Sequence, residues 1–247
     1  MSTCTDDVRA PVPSIIRPTS IVFTPDKNRT WAQSFGLSPM AGHTKGRDVA
    51  KTIVQECFNL GIRDVVFWAM SESNVFKRSI SEREYLVKLL KDDLRSRENE
   101  NDKIGFRVCG DWKKIIADPE LEDLIERAHE RTAKYQKQRL TVLFGYRGIT
   151  DFKRAASKVT EEMGPEAIEN EDMIRKHMWV EHLPCPIDMM VRTGVTAKNR
   201  HNSDSLLPLH GEHAYVYEVE QYWPDFSVEL LYEGFRNFAE CKRPKGE

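Results

Sequence analysis

Short apolar runs alternate along this chain with longer stretches in which apolar positions recur every three or four residues. Residues 20–24 (SIVFT) are β-rich and end on the turn-forming Pro25-Asp26-Lys27-Asn28, which predicts a buried strand. In residues 45–60 (KGRDVAKTIVQECFNL) Val49, Ile53, Cys57 and Leu60 share one helical face, and Gly61 stops the helix. Residues 63–70 (RDVVFWAM) are apolar through their middle, as expected of a parallel strand covered on both faces, and a loop rich in Ser and Asn follows. Ser81 with Glu84 three residues on reads as a capping box opening a helix that turns Leu86, Leu89, Leu90 and Leu94 inward. The charged residues 95–103 after it read as a solvated turn. Residues 104–109 (IGFRVC) and 139–144 (RLTVLF) predict strands three and four, with a long amphipathic helix over 119–136 between them. Helices follow at 149–163 and 165–177, a fifth strand at 188–192, a sixth at 213–219, and a C-terminal helix at 228–240 opened by Ser227.

That order predicts an α/β fold: a single domain built on an open, mostly parallel six-stranded sheet flanked by helices, with ligands outside the carboxyl ends of the strands. No repeat or low-complexity linker divides the chain, and 247 residues fit one large core, since single cores stop growing at roughly 250–300 residues. Residues 1–19, polar and punctuated by proline, read as a flexible arm, and 20–247 as the domain. With 37 basic and 39 acidic side chains the balance is near neutral, so no nucleic-acid electrostatics is expected. The apolar runs fall short of the roughly 20 residues that a spanning helix requires, and the N-terminus lacks the pattern of a secretory signal. A cytoplasmic protein without an integral membrane segment is the expectation. Cys4, Cys57, Cys109, Cys185 and Cys241 are odd in number and widely spaced, which points to reduced, mostly buried thiols.

Chemistry is sought at the strand ends. The first offers Asp26, Lys27, Asn28 and Arg29, then Trp31, then Gly42-His43-Thr44-Lys45-Gly46 at the start of a helix, where free N–H groups, His and Lys suit phosphate oxygens. Taken alone, that segment is equally a turn capped by Asp26 and a helix begun by Gly42. Ser71 to Asn74 follow the second strand, Gly145-Tyr146-Arg147-Gly148 the fourth, and Arg192-Thr193-Gly194 the fifth, so polar groups gather at one sheet edge. His177 and His182 around Trp179, or His210 with His213, lack a third ligand at sensible spacing and are not read as a metal site. Phe67, Trp68, Met70, Phe76 and Leu143 suit any α/β core, and Lys113-Lys114 and residues 134–139 read as solvated helix faces.

These pieces together resemble the cis-prenyltransferases, the family of undecaprenyl and dehydrodolichyl diphosphate synthases. PDKNRTWA (25–32) resembles the family's MDGNGRWA, AGHTKG (41–46) its GHxxG, and LGIRDVVFWAMSESN (60–74) its LGIxxLTLYAFSxEN. RVCGD (107–111) is similar to RxIGD, GYRG (145–148) to NYGGR, RTG (192–194) to the start of RTGGExRxSxF, and YWPDF (222–226) to LWPDF. The motifs stand in the family's order from about residue 21 to 246.

The resemblance implies a dimeric enzyme with an apolar prenyl tunnel that joins isopentenyl diphosphate to an allylic prenyl diphosphate with Mg²⁺. Asp26 matches the carboxylate that binds magnesium and helps the allylic diphosphate leave, a Lewis-acid arrangement. Asn28 and His43 match positions that handle diphosphate and proton movement, and Ser71 and Asn74 the loop for substrate binding and proton relay. Arg192 matches an arginine that grips isopentenyl diphosphate, a role suited to a bidentate guanidinium. Arg29, Gly42, Lys45, Lys77 and Arg200 complete the expected diphosphate contacts, with Lys198 the rival of Arg200, and Glu218 is the expected second metal ligand, with Glu220 its rival. Met70 and Phe76 are candidates for the tunnel lining.

Departures from the pattern are equally specific. Thr30 stands where the family has a diphosphate-binding Arg, with Arg29 adjacent. Pro39 takes a position that is often basic, and Ser73, Val75 and Lys77 replace the usual Glu, Trp and Arg. The C-terminal KRPKG (242–246) resembles the family's dimer-crossing RRFGG only loosely. The expected reaction is Mg²⁺-assisted head-to-tail Z elongation. The alternatives are irregular head-to-middle coupling of allylic diphosphates, cyclisation of a prenyl diphosphate, or a non-catalytic partner subunit, the last opposed by Asp26 beside Asn28 and His43. Lipophilic products would make peripheral attachment to membranes natural.

Overall fold

The computed structural model describes residues 17–98, 103–197, 209 and 214–241. Six strands form one sheet: β1 (Ser20–Thr24), β2 (Asp64–Ser71), β3 (Gly105–Cys109), β4 (Arg139–Tyr146), β5 (Met189–Arg192) and β6 (Tyr215–Glu218). Their order is β3-β4-β2-β1-β5-β6, and every pairing among them is parallel. β1 is buried along its whole length, which explains why it reads as an unbroken apolar run.

Alternation along the strands divides the core into two layers. Ile21, Phe23, Val65, Phe144 and Val191 face one side, where they pack under α2 (Pro39–Asn59), α4 (Ile80–Glu98), α6 (Pro119–Thr132) and α9 (Val228–Glu240). Val22, Val66, Leu143 and Met190 face the other, under α7 (Gly148–Met163), α8 (Glu171–Lys176) and the segment carrying Met178, Val180 and Leu183. Phe235 on α9 is fully buried, and truncating such a side chain costs about 3–5 kcal/mol.

Several boundaries differ from the sequence expectation for local reasons. The helix expected from residue 45 starts at Pro39, because Ser38 precedes it and proline fits the first helical turn, where no N–H partner is needed. The cap of α4 is Ser79, whose Oγ accepts from the Glu82 N–H at 3.2 Å, so Ser81 lies inside the first turn and the expected capping box is not formed. The same helix carries on through Arg95 to Glu98, into the stretch expected to be a turn. Three short helices, α1 (Asn28–Ser34), α3 (Glu72–Lys77) and α5 (Trp112–Ile116), occupy segments without a helical assignment, being too short to show a period. α6 stops at Thr132, and residues 165–177 split into a 3-10 turn (Pro165–Glu169) and α8, capped by Asn170 Oδ1.

Arg139 belongs to β4 and not to a solvated face: its Nε lies 2.6 Å from Oδ1 of Asp64, a fully buried carboxylate. Of the expected arm, residues 17–19 are described and are held, Arg17 Nη1 donating to the Leu60 carbonyl at 2.9 Å and Thr19 Oγ1 to Asp188 Oδ2 at 2.7 Å. Cys57 and Cys109 are buried, Cys185 is half-buried and Cys241 exposed, all as free thiols. Cys4, Lys198, Arg200, His210, His213 and residues 242–246 lie outside the described residues.

Candidate active site

Three neighbouring strand ends meet at one edge of the sheet. Register sets Thr24 of β1 opposite Arg192 of β5, and Arg192 opposite Glu218 of β6. Asp26 leads the turn after β1. Its backbone N–H donates to Thr193 Oγ1 at 3.0 Å and its carbonyl accepts from the Trp223 N–H at 3.1 Å, which fixes the main chain and leaves the side chain 56% exposed in the cleft. Lys27 adopts a left-handed φ of 72°, uncommon for a residue with a side chain. Its stem lies against Gly194, where a Cβ would come within 2.4 Å of Lys27 Cγ. Arg192 Nε is 3.9 Å from Asp26 Oδ2 and its Nη1 is 4.0 Å from Glu218 Oε1. Desolvation in the cleft raises the Asp26 carboxyl above its ordinary value, against the opposing pull of Arg192, Lys27 and Arg78.

The other half of the site is built by α1, α2 and the start of α4. A Cβ on Gly42 would sit 2.1 Å from the Asn28 carbonyl oxygen, and one on Gly46 would sit 2.1 Å from Asn28 Oδ1. Two glycines one turn apart therefore let α1 lie directly on α2. Asn28 Nδ2 donates to the Pro25 carbonyl at 3.1 Å, while its Oδ1 is buried without a hydrogen-bond partner. His43, almost wholly buried, places Nε2 at 2.8 Å from Oε1 of Glu82, which is only 5% exposed. Burial lowers His43 below its ordinary value, so the ring is neutral at pH 7 and its Nε2–H is the donor to the Glu82 carboxylate. Arg78 Nε at 3.4 Å and Arg29 Nε at 3.9 Å converge on the same Glu82 oxygen. Arg78 is 12% exposed, and its Nε and Nη1 are buried without a hydrogen bond. Nε keeps its ion pair with Glu82, so the penalty falls on Nη1, about 1–3 kcal/mol for a buried donor left without a hydrogen bond, a cost that an anionic ligand would remove.

From this cluster an elongated cavity of about 510 Å³ runs between the sheet and α2 and α4. Asn28, His43 and Gly46 line its polar end; Phe67 and Ala69 of β2 and Val142 and Phe144 of β4 line its floor. Its size falls within the range of about 300–1,000 Å³ typical of small-ligand sites. A charged head with an apolar tail is the molecular shape it matches.

Residues 24–246 match the family described as "Putative undecaprenyl diphosphate synthase". The chain belongs to this family, the cis-prenyltransferases. Among its relatives is a protein of Archaeoglobus fulgidus named tritrans,polycis-undecaprenyl-diphosphate synthase (geranylgeranyl-diphosphate specific), 30% identical over 87% of this chain and 86% of that one. An isoprenyl transferase of Aquifex pyrophilus is 30% identical over 93% of this chain and 96% of its own. The fold is shared with lavandulyl diphosphate synthase from Lavandula x intermedia, solved with dimethylallyl diphosphate, at a TM-score of 0.82 and 23% identity over 94% of this chain and 99% of that one.

Within this cis-prenyltransferase, Asn28 and His43 line the cavity, Arg29 meets His43 on Glu82, and Asp26, Arg192 and Glu218 form one chain of ion pairs at the strand ends. Ser71 and Asn74 stand at the end of β2, next to β1, where Ser71 caps α3: its Oγ accepts from the Asn74 N–H at 3.2 Å and lies 3.2 Å from Ser73 Oγ. Gly42 is not at a helix start. It sits one turn inside α2, where an N–H is directed to the preceding turn, and acts as the contact for α1. Lys45 and Lys77 are exposed, and it is the next residue, Arg78, that turns into the cluster. Phe76 is 68% exposed and Met70 is buried in the core, and neither lines the cavity, contrary to expectation. Val75 is likewise core.

Glu82 and Arg78 escaped the sequence reading, although their i,i+4 spacing is a signal for a facing pair. No group of three or more His, Cys, Asp or Glu side chains that could hold a metal occurs among the described residues. None of the described helices is long and apolar enough to cross a membrane.

Proposed function

We propose that this chain condenses an allylic prenyl diphosphate with isopentenyl diphosphate to a Z-prenyl diphosphate, Mg²⁺-assisted, as a homodimer. The observation that carries the reading is the junction of unmet cationic donors with an apolar cavity. Arg78, ion-paired to Glu82 through Nε at 3.4 Å, still has Nε and Nη1 buried without a hydrogen bond beside Asp26, and the cavity begins at Asn28 and His43.

Arg78 and Arg29 grip the allylic diphosphate by charge-assisted hydrogen bonds, Glu82 holding both guanidinium groups in place before it arrives. The tail lies along Phe67, Ala69 and Phe144, the apolar side chains of the cavity floor. Two carboxylates with substrate oxygens suit magnesium better than an all-protein cage does, so Asp26 and Glu218 would hold it, and the ion would supply Lewis-acid stabilisation of the departing diphosphate. Arg192, between those carboxylates, is placed to bind the second diphosphate. His43, neutral and bonded to Glu82, and the Ser71 hydroxyl at the end of the adjacent strand are the groups placed to accept or pass on the proton lost when the new double bond forms.

The test incubates purified protein and Mg²⁺ with dimethylallyl, geranyl, farnesyl or geranylgeranyl diphosphate, each with and without isopentenyl diphosphate, and reads products by mass spectrometry. Products longer by five-carbon units that form only with isopentenyl diphosphate are expected. Products formed without it would replace elongation by irregular coupling or cyclisation, and none in any mixture would replace it by a non-catalytic subunit.

A further inference from the structure

The far end of the cavity is not apolar. Phe106 and Ile104 meet there with Asp93, Ser96 and Arg97 of α4. The Arg97 guanidinium lies over the Phe106 ring, 5.3 Å from its centroid, a distance at which a cation is attracted to the ring face. On the side wall, Lys51 Nζ of α2 is 2.7 Å from Asp93 Oδ1 of α4, closing the seam between the two helices. A hydrocarbon tail advancing past Leu90 therefore meets a guanidinium, a carboxylate and an ammonium. Further growth would strip those groups of water or of each other, which is unfavourable, and would lift Arg97 off its ring.

The distance to this stop can be worked out from α4. Leu86 near the mouth and Arg97 at the end both line the cavity, and eleven residues of helix at about 1.5 Å each span about 16 Å. A five-carbon prenyl unit adds four main-chain bonds, and an extended chain covers about 1.2 Å per bond, so each unit needs about 5 Å. A path of about 16 Å thus holds three to four units, whereas eleven units, as in an undecaprenyl chain, would need about 55 Å.

We infer that Arg97 over Phe106, with the Lys51–Asp93 pair, is the length stop of this enzyme, and that its products are short, of three to four prenyl units. This rests on the elongation reading above. The experiment elongates dimethylallyl and geranyl diphosphate with excess isopentenyl diphosphate and Mg²⁺, using the wild-type protein, Arg97→Ala and Val54→Phe. Wild-type products end at 15–20 carbons. Arg97→Ala moves the main product up by at least one unit, and Val54→Phe, which fills the middle of the cavity, moves it down by one. Wild-type products of 25 carbons or more, or unchanged lengths in both variants, overturn the inference.

Competition binding separates this from a failure of the elongation reading. If no elongation occurs, a series of prenyl diphosphates with two, three, four and nine units still reads the stop. Affinity rising about tenfold or more per unit up to four units, with no gain at nine, sustains it; continued gain to nine overturns it.

Discussion

Glu82 is the group whose removal tests the electrostatic construction of the site most directly. It is buried, it accepts from His43, and it is the carboxylate on which Arg78 and Arg29 converge. Glu82→Gln keeps shape and leaves a carbonyl acceptor for His43, but takes the counter-charge from a guanidinium that is 12% exposed. Breaking a buried ion pair by removing one partner costs about 3–5 kcal/mol. Because Arg29 is half exposed and the His43 bond survives, the low end, about 3 kcal/mol, is expected. For a domain of this size that is a fall of about 6–12 °C in Tm. Diphosphate then becomes the missing counter-ion. Inorganic diphosphate at saturating concentration is expected to stabilise the variant by about 1 kcal/mol more than it stabilises the wild type, since only in the variant does it meet an uncompensated Arg78. Urea unfolding and thermal melts with and without diphosphate measure both quantities. A loss below about 1 kcal/mol, or equal diphosphate shifts in the two proteins, would refute Glu82 as the holder of the diphosphate-binding arginines.

Asp26→Ala is expected to lower turnover about a thousandfold, equivalent to about 4 kcal/mol of transition-state stabilisation, while circular dichroism and Tm stay as in the wild type, because the fixed contacts of Asp26 are made by its main chain. Near-normal turnover in the folded variant would remove the proposed mechanism. Gly42→Ala forces a Cβ to within 2.1 Å of the Asn28 carbonyl and should cost about 1–3 kcal/mol by overpacking, with turnover falling as Asn28 and α1 shift; an unperturbed melt would show that α1 yields freely. His129 and His182 are pushed down to about 4 by burial beside arginines, so the unfolded chain binds more protons than the folded one between about pH 6.5 and 4. Stability should therefore be intact above pH 6.5 and fall as pH drops through that window, with a slope approaching about 2.7 kcal/mol per pH unit for two histidines. His182→Gln, which can still reach Thr141 Oγ1, should halve that slope, and an unchanged slope in urea titrations would count against the assignment.

The sheet was legible because its strands are buried on both faces and bounded by turn residues. SIVFT, RDVVFWAM and RLTVLF coincide with β1, β2 and β4 to within two residues at each end. The short helices were not, since six or seven residues complete fewer than two turns and show no reliable period. α1 and α3 exist through tertiary support instead: α1 through the glycine contacts of α2 and the Trp31 Nε1 bond to Asp225 at 2.8 Å, α3 through its Ser71 cap. The misplaced cap of α4 has a plain cause. Ser79 and Ser81 are both good caps by residue type, and a glutamate three residues on occurs in each case, so only the Glu82 N–H bond to Ser79 decides between them.

The same contrast runs through the active site. The positions of Asp26 and Arg192 were legible because strand ends are fixed by the register of the sheet, and in a parallel sheet residues at the carboxyl ends of neighbouring strands emerge together, whereas Glu218, inside the strand expected over 213–219, was named only through the family resemblance, with Glu220 as its rival. Arg78 and Glu82 lie where helix phase decides which side chain points inward. A difference of one residue turns a helical side chain by about 100°, and that rotation separates exposed Lys77 from Arg78, whose side chain is only 12% exposed. A basic residue near the expected position is therefore not enough to assign diphosphate binding. What favours Arg78 for the proposed role is a buried carboxylate one turn away, Glu82, with its Oε1 3.4 Å from Arg78 Nε. Lys77→Ala should accordingly leave the affinity for allylic diphosphate within about twofold of wild type, while Arg78→Ala weakens it by about one hundredfold, the loss expected for charge-assisted hydrogen bonds made in a desolvated site.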